Sequence, residues 1–281
     1  MQIRRTAILT FMAVFITVGA VPLAGSVPDA NAALFDISEK QEIQIGQEVE
    51  RQLGQKPGFV DDPGLTQQLT DIGRRLAAVS ERPGLPWTYH ILREAGVNAI
   101  AAPGGYIFAT RGLFGFVKSP DELAFVIGHE TTHVAHRHAV DLAKRDMEVQ
   151  FGAAIITSVF LGGSWPAYVT TQLGRQLIDA KFSRDKEYEA DHFGVIYARA
   201  AGFDPTQSIA FFDRLRQQEK SQPGLAKAFE NHPDTLKRIG ALCTELTGMG
   251  YRIRCPVAPA PEASEPSLSN TPPAPPAEGH Q

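Results

Sequence analysis

The sequence predicts an α+β domain that is mainly α, and three observations lead there. Three short β-branched or aromatic runs, separated by glycine-bearing turns, lie between Trp87 and Thr110. From Ser119 onward the apolar residues recur at helical spacing over most of the remaining chain. A length of 281 residues, 43% of them hydrophobic, is ample to bury one sizeable core. The net charge of −4 is spread along the chain. No basic cluster is interleaved with aromatic residues, so no nucleic-acid partner is expected.

The elements follow in order. Ser38-Glu39-Lys40-Gln41 has capping-box form and opens a helix that runs to about Gln52, broken by the stretch from Gly54 to Gly58. A second helix fits Pro63 to Val79, and the cluster Pro83-Gly84-Leu85-Pro86 stops it. Strands are expected at Trp87–Leu92, Val97–Ala101 and Tyr106–Thr110, and helices at 120–145, 168–201, 205–220 and 233–247. No internal repeat interrupts this order.

The two ends differ from the middle. Arg4 and Arg5 precede an uncharged apolar run from Thr6 to about Gly25, and Ala30-Asn31-Ala32 has small-x-small form. This pattern predicts an export signal over residues 1–32, cleaved after Ala32; the alternative is a retained membrane anchor. Beyond Cys255 the composition collapses to Pro, Ala, Ser and Glu, so residues 256–281 are expected to be a disordered tail following a folded unit at 33–255. The two cysteines, Cys243 and Cys255, lack metal-ligand spacing. In an oxidising compartment they are expected to pair, the alternative being two thiols. The apolar segment Phe151 to Leu161 is too short to span a bilayer and reads as a core helix. A lid over a cleft or a membrane-facing hairpin are the other readings, and the last would add peripheral membrane association.

Residues His129-Glu130-Thr131-Thr132-His133 have the form H-E-x-x-H. Ser119, Pro120 and Glu122 supply an N-cap, a first-turn proline and an acidic third position, which places the motif on a helix. Leu123, Val126, Ile127 and Val134 form an apolar stripe on that helix, with Glu130 inside it and the histidines at its edge. Two imidazoles one turn apart can grip a single Zn²⁺, and the adjacent glutamate reaches a bound water as general base. The alternative is a solvated helix that happens to carry two histidines. Catalytic zinc needs a third protein ligand, and the segment Glu187-Tyr188-Glu189-Ala190-Asp191 offers one on a second helix. Glu187 is assigned the ligand role and Asp191 that of a partner to the outer N–H of a ligand histidine. Glu189 competes for the ligand role, and an ordinary charged surface is the remaining reading. His136 and His138 are assigned to structure.

These motifs resemble those of the HtpX-like and BepA-type zinc metallopeptidases, gluzincins related to the CAAX prenyl endopeptidases and the Oma-type proteases. Three blocks carry the resemblance: Asn98 to Phe108, Gly128 to His138, and Glu187 to Asp191 with Gly194. The resemblance implies a zincin-like domain with one Zn²⁺ per chain, bound by His129, His133 and Glu187, and Glu130 as base. It also implies a substrate-binding edge strand at Asn98, Ala99, Ile100 and Ala101 flanking the active-site helix; a plain hairpin is the alternative. His232, in a His-Pro element, is implied as an inhibitory switch and Arg238 as a residue close to the site; the alternative is that His232 caps a helix beginning at Pro233. The chain then reads as a short form without helical repeats, an exported, periplasmic endopeptidase acting on protein or peptide substrates. A self-inhibited or chaperone-like zinc-binding protein of the same fold is the competing function. Oligomeric state is not set by these patterns.

Overall fold

A computed structural model describes residues 37–145, 167–178, 180–221, 232 and 235–257. The export-signal reading of 1–32, the apolar segment 151–161 and the tail beyond residue 257 lie outside the described residues.

Helix α1 (Glu39–Gln55) starts at the expected capping box: Ser38 accepts from Gln41 N–H, and the Gln41 side chain accepts from Ser38 N–H. Helix α2 (Pro63–Ala77) is capped by Asp62 and carries Pro63 in its first turn. Strands β1 (Thr88–Leu92), β2 (Ala99–Ala102) and β3 (Tyr106–Thr110) form one sheet in the order β1-β3-β2. β1 pairs parallel with β3, and β2 pairs antiparallel with β3 from Ala99↔Ala109 to Ala102↔Tyr106. The turn between β2 and β3 uses Gly104 and Gly105 at φ 79° and 99°, a region that residues with a Cβ avoid. β2 is therefore an edge strand, and among the described residues no strand pairs with its outer side. Asn98 falls just outside it, its backbone tied to Thr110.

The short helix α3 (Arg111–Phe116), which sequence patterning missed, follows β3 directly, with Thr110 as its N-cap. Helix α4 (Pro120–Ala135) follows and is buried on every side from Glu122 to Ala135. The single apolar stripe expected for it is thus only part of what it buries, and the solvated-helix alternative is excluded. Ser119 caps it, but the Glu122 carboxylate accepts from Lys118 N–H at 2.7 Å instead of closing a box on Ser119.

Two expected helices are interrupted. The run 120–145 breaks after α4 at Arg137, whose φ of 60° is left-handed, and residues 138–145 are helical again. The run 168–201 divides into α5 (Ala167–Ile178) and α6 (Arg184–Ala200), because Ser183 caps a fresh helix through Lys186 N–H. Helices α7 (Gln207–Ser221) and α8 (Thr235–Gly248) complete the order. The core packs α2, α4, α6, α7 and α8 against the sheet. Among the described residues no helix is long and apolar enough to cross a membrane. Cys243 and Cys255 are joined by a disulfide that ties the segment after α8 to the core.

Candidate metal centre

The site is built where α4 crosses α6, the most extensive helix contact among the described residues. The crossing requires two glycines. A Cβ on Gly128 would stand 3.0 Å from the Gly194 carbonyl oxygen, and one on Gly194 would stand 3.0 Å from the His129 amide nitrogen. Backbone lies on backbone here, so the residues next to the crossing are drawn together. Gly194→Val is expected to force the helices apart, costing about 1–3 kcal/mol by overpacking. Denaturant titration would show that loss, and metal competition a weaker site, while Gly115→Ala, which meets nothing within 4 Å, leaves both near wild type.

His129, Glu130 and His133 on α4 and Glu187 and Asp191 on α6 are all at most 4% exposed. The His129 and His133 Nε2 atoms approach to 3.1 Å. Glu187 completes the group, its Oε2 3.5 Å from His129 Nε2 and its Oε1 3.7 Å from His133 Nε2. Glu189, the competing candidate, points elsewhere: it meets His136 Nδ1 at 2.6 Å and Lys186 Nζ at 3.0 Å.

Each histidine has an outer partner. His129 Nδ1 lies 2.9 Å from Asp191 Oδ1, and His133 Nδ1 lies 2.8 Å from His138 Nδ1. Phe182, in the break before α6, stacks on the His133 ring at 4.0 Å between centroids. Sequence reasoning gave neither His138 nor Phe182 a place at the site. His232 enters it: its Nδ1 is 2.9 Å from Glu187 Oε2 and 3.3 Å from His129 Nε2, and its Nε2 is 3.7 Å from Glu130 Oε1. Arg238, from α8, grips Asp191 at 2.6 and 2.7 Å and reaches Glu187 at 2.9 Å. Ala99, Ala101 and Ala102 of β2 are buried against α4, with Ile100 half-buried.

The electrostatics follow from burial and these neighbours. Burial drives the Glu130 carboxyl up, only partly opposed by His232 and His129. Burial pushes Glu187 the same way, but His232, His129 and Arg238 together outweigh it and hold Glu187 low. For Asp191 burial is again overcome, chiefly by the charge and hydrogen bonds of Arg238, and its carboxyl falls to about 2. His133 is held well below the usual imidazole range, first by burial and then by the charges of His129 and His232. His232 is pushed up because Glu187 and Glu130 overcome its burial.

The donor set fits a metal ion. Tetrahedral bonds of about 2.0–2.1 Å place donors roughly 3.3–3.4 Å apart, and the observed separations straddle that distance. With Asp191 taking the Nδ1–H of His129, that ring presents a lone pair to the imidazole nitrogen 3.1 Å away. Two such lone pairs face each other favourably only across a cation or a proton.

A histidine pair one turn apart on a buried helix, with a carboxylate from a second helix, defines the metallopeptidase class of α+β domain. Residues 63–246 match peptidase family M48. The chain belongs to that family. The mitochondrial metalloendopeptidase OMA1 of Schizosaccharomyces pombe is 31% identical over 222 residues, 76% of this chain and 64% of its own length. The beta-barrel assembly-enhancing protease of Escherichia coli K12 is 28% identical over 249 residues, 83% of this chain and 50% of its own length. A Vibrio cholerae protein named a putative beta-barrel assembly-enhancing protease is 33% identical over 210 residues, 71% of this chain and 43% of its own length. The chain thus spans between 43% and 64% of these relatives.

Proposed function

We propose that the chain is an exported zinc endopeptidase that hydrolyses peptide bonds in misfolded or envelope proteins. The observation that carries this reading is the convergence of His129 Nε2, His133 Nε2 and the Glu187 carboxylate within 3.1 to 3.7 Å of one another. In it these three residues are the zinc ligands and Asp191 orients His129. Export rests on the leader pattern of residues 1–32, and the envelope substrates on the names of the barrel-assembly relatives.

A bound zinc supplies Lewis acidity that polarises the scissile carbonyl and makes water a better nucleophile. The Glu130 carboxylate accepts the proton of the attacking water, whose oxygen adds to the carbonyl carbon, and gives that proton to the departing amine nitrogen as the C–N bond breaks. Its raised affinity for a proton suits that shuttle. In this reading the outer side of β2, Ala99–Ala102, with which no strand pairs among the described residues, receives an extended peptide by main-chain pairing, which is tolerant of sequence.

The test is casein cleavage by the full chain. Activity is expected to disappear with a chelator and return with zinc. Metal analysis should give one zinc per chain, absent in His133→Ala. Zinc content equal in both proteins would remove the ligand assignment.

The position of His232 favours a second, regulatory reading. Its ring stands against both Glu187 and His129, within the same convergent group of donor atoms, where it would compete with a substrate or water for the metal. A resting enzyme with His232 in this position is self-inhibited. His232→Ala is then expected to cleave casein several-fold faster at unchanged zinc content; an equal or lower rate rejects the switch.

A further inference from the structure

A second group of ligand-type side chains, His136, His138 and Glu189, lies just beyond the C-terminal end of α4. By composition it could pass for another metal site, but its hydrogen bonds give it a different task. We propose that His138 is a positioning residue for His133: its Nδ1 lone pair accepts the Nδ1–H of His133, leaving the His133 Nε2 lone pair aimed at Glu187 and His129. The inference rests on the reading of His133 as a zinc ligand.

The two Nδ1 atoms are 2.8 Å apart, and the residues are 0% and 2% exposed. A neutral imidazole carries one N–H, so a contact this short between ring nitrogens requires one hydrogen between them. A His133 ring that coordinates through Nε2 must carry its hydrogen on Nδ1. The Nδ1 of His138 is then the acceptor, and the hydrogen of His138 sits on Nε2. That nitrogen faces Glu189 Oε2 at 3.4 Å. Glu189 is itself fixed by His136 Nδ1 at 2.6 Å and Lys186 Nζ at 3.0 Å. An Nε2 that holds hydrogen has no lone pair for a metal, so the second cluster stays metal-free while the first is filled.

The backbone is shaped for this contact. Had α4 continued, residue 138 would lie five positions on, rotated by about 140° from His133 at 100° per residue. Instead Arg137 takes a φ of 60° and turns the chain back, bringing the ring of His138 against that of His133. That conformation disfavours a side chain with a Cβ, and it is held by the Arg137 guanidinium, which pairs with buried Glu42 at 3.0 Å and donates to the Ile37 carbonyl.

The test compares the full chain with His138→Asn and His138→Leu, measuring zinc affinity by competition with a chromophoric chelator and the visible spectrum of the cobalt form. Asn keeps an acceptor oxygen near the position of Nδ1; Leu keeps volume and no acceptor. His138→Leu is expected to weaken zinc by about 10–100-fold, the usual effect of losing an outer partner, and to shift the cobalt bands, with His138→Asn within about threefold of wild type. Zinc binding by His138→Leu equal to wild type, or by His138→Asn no better than Leu, would overturn the proposal. So would a second zinc equivalent in wild type that vanishes in His136→Ala. Should His138→Leu not fold, Glu189→Gln serves: a several-fold loss of affinity supports the chain of contacts, and no loss overturns it. One zinc per chain that is lost in His133→Ala but undiminished in His138→Leu removes the positioning role alone, whereas zinc undiminished in His133→Ala removes the ligand assignment itself.

Discussion

Glu130→Gln is expected to keep its full complement of zinc and to lose casein cleavage by roughly 10²–10⁴-fold, the usual worth of a positioned general base. Gln has the same shape, so substrate and metal positions are preserved; what disappears is the oxygen that takes the proton from water. Glu130 is also outside the group whose donor atoms converge, which is why metal content should not change. The stability effect runs the other way. A carboxyl raised by burial marks a site where the charged form is disfavoured on folding, so a neutral amide relieves that cost. The thermal midpoint of Glu130→Gln should equal or exceed that of wild type. A variant retaining more than a tenth of the activity would remove Glu130 from the mechanism.

Arg238→Ala is expected to lower stability by about 3–5 kcal/mol, the scale of breaking a buried ion pair from one side. Arg238 is 2% exposed and faces two buried carboxylates, Asp191 and Glu187. Without it, among the described residues, Asp191 keeps only its contact with His129, a weaker compensation for a buried charge. In the chelated protein Glu187 also loses Arg238 and keeps His232 and His129, so the largest drop should appear there. With zinc present the Glu187 charge is balanced and the drop shrinks. Thermal unfolding with and without chelator reads the difference. A drop below about 1 kcal/mol in both conditions would show that the carboxylates find other compensation.

How much of this was legible in the sequence depends on the range of the interaction. His129, Glu130 and His133 lie within one helical turn, so their spacing alone puts them together. Glu187 and Asp191 share a face for the same reason, and Asp191 indeed stands at His129 Nδ1. The one-turn spacing of Glu187 and Asp191 favoured Glu187 over Glu189 as the residue facing the histidines, but how closely α6 is seated on α4, Gly194 against Gly128, no local pattern reveals. The contact of His138 with His133 was hidden because the helical period ran on past Arg137, and only a left-handed residue without glycine breaks it. The break before α6 was hidden likewise: Ser183 as a cap is plain once seen, but the apolar spacing on either side continued through it. Phe182, carried by that break, therefore fell inside the continuous helix expected at 168–201 and drew no assignment of its own.

The contact of Gly128 with Gly194 has one more consequence. Side chains can swing to suit a guest, but two main chains in van der Waals contact cannot be pressed closer, nor easily separated, without unpacking the interior. The gap between the imidazoles and the carboxylate is thus gauged by the scaffold, like the jaws of a fixed caliper. Calcium, which prefers six to eight oxygen ligands at about 2.3–2.6 Å, would meet two imidazole nitrogens and a single carboxylate there, so the donor set that the two helices bring together suits a softer ion of lower coordination number.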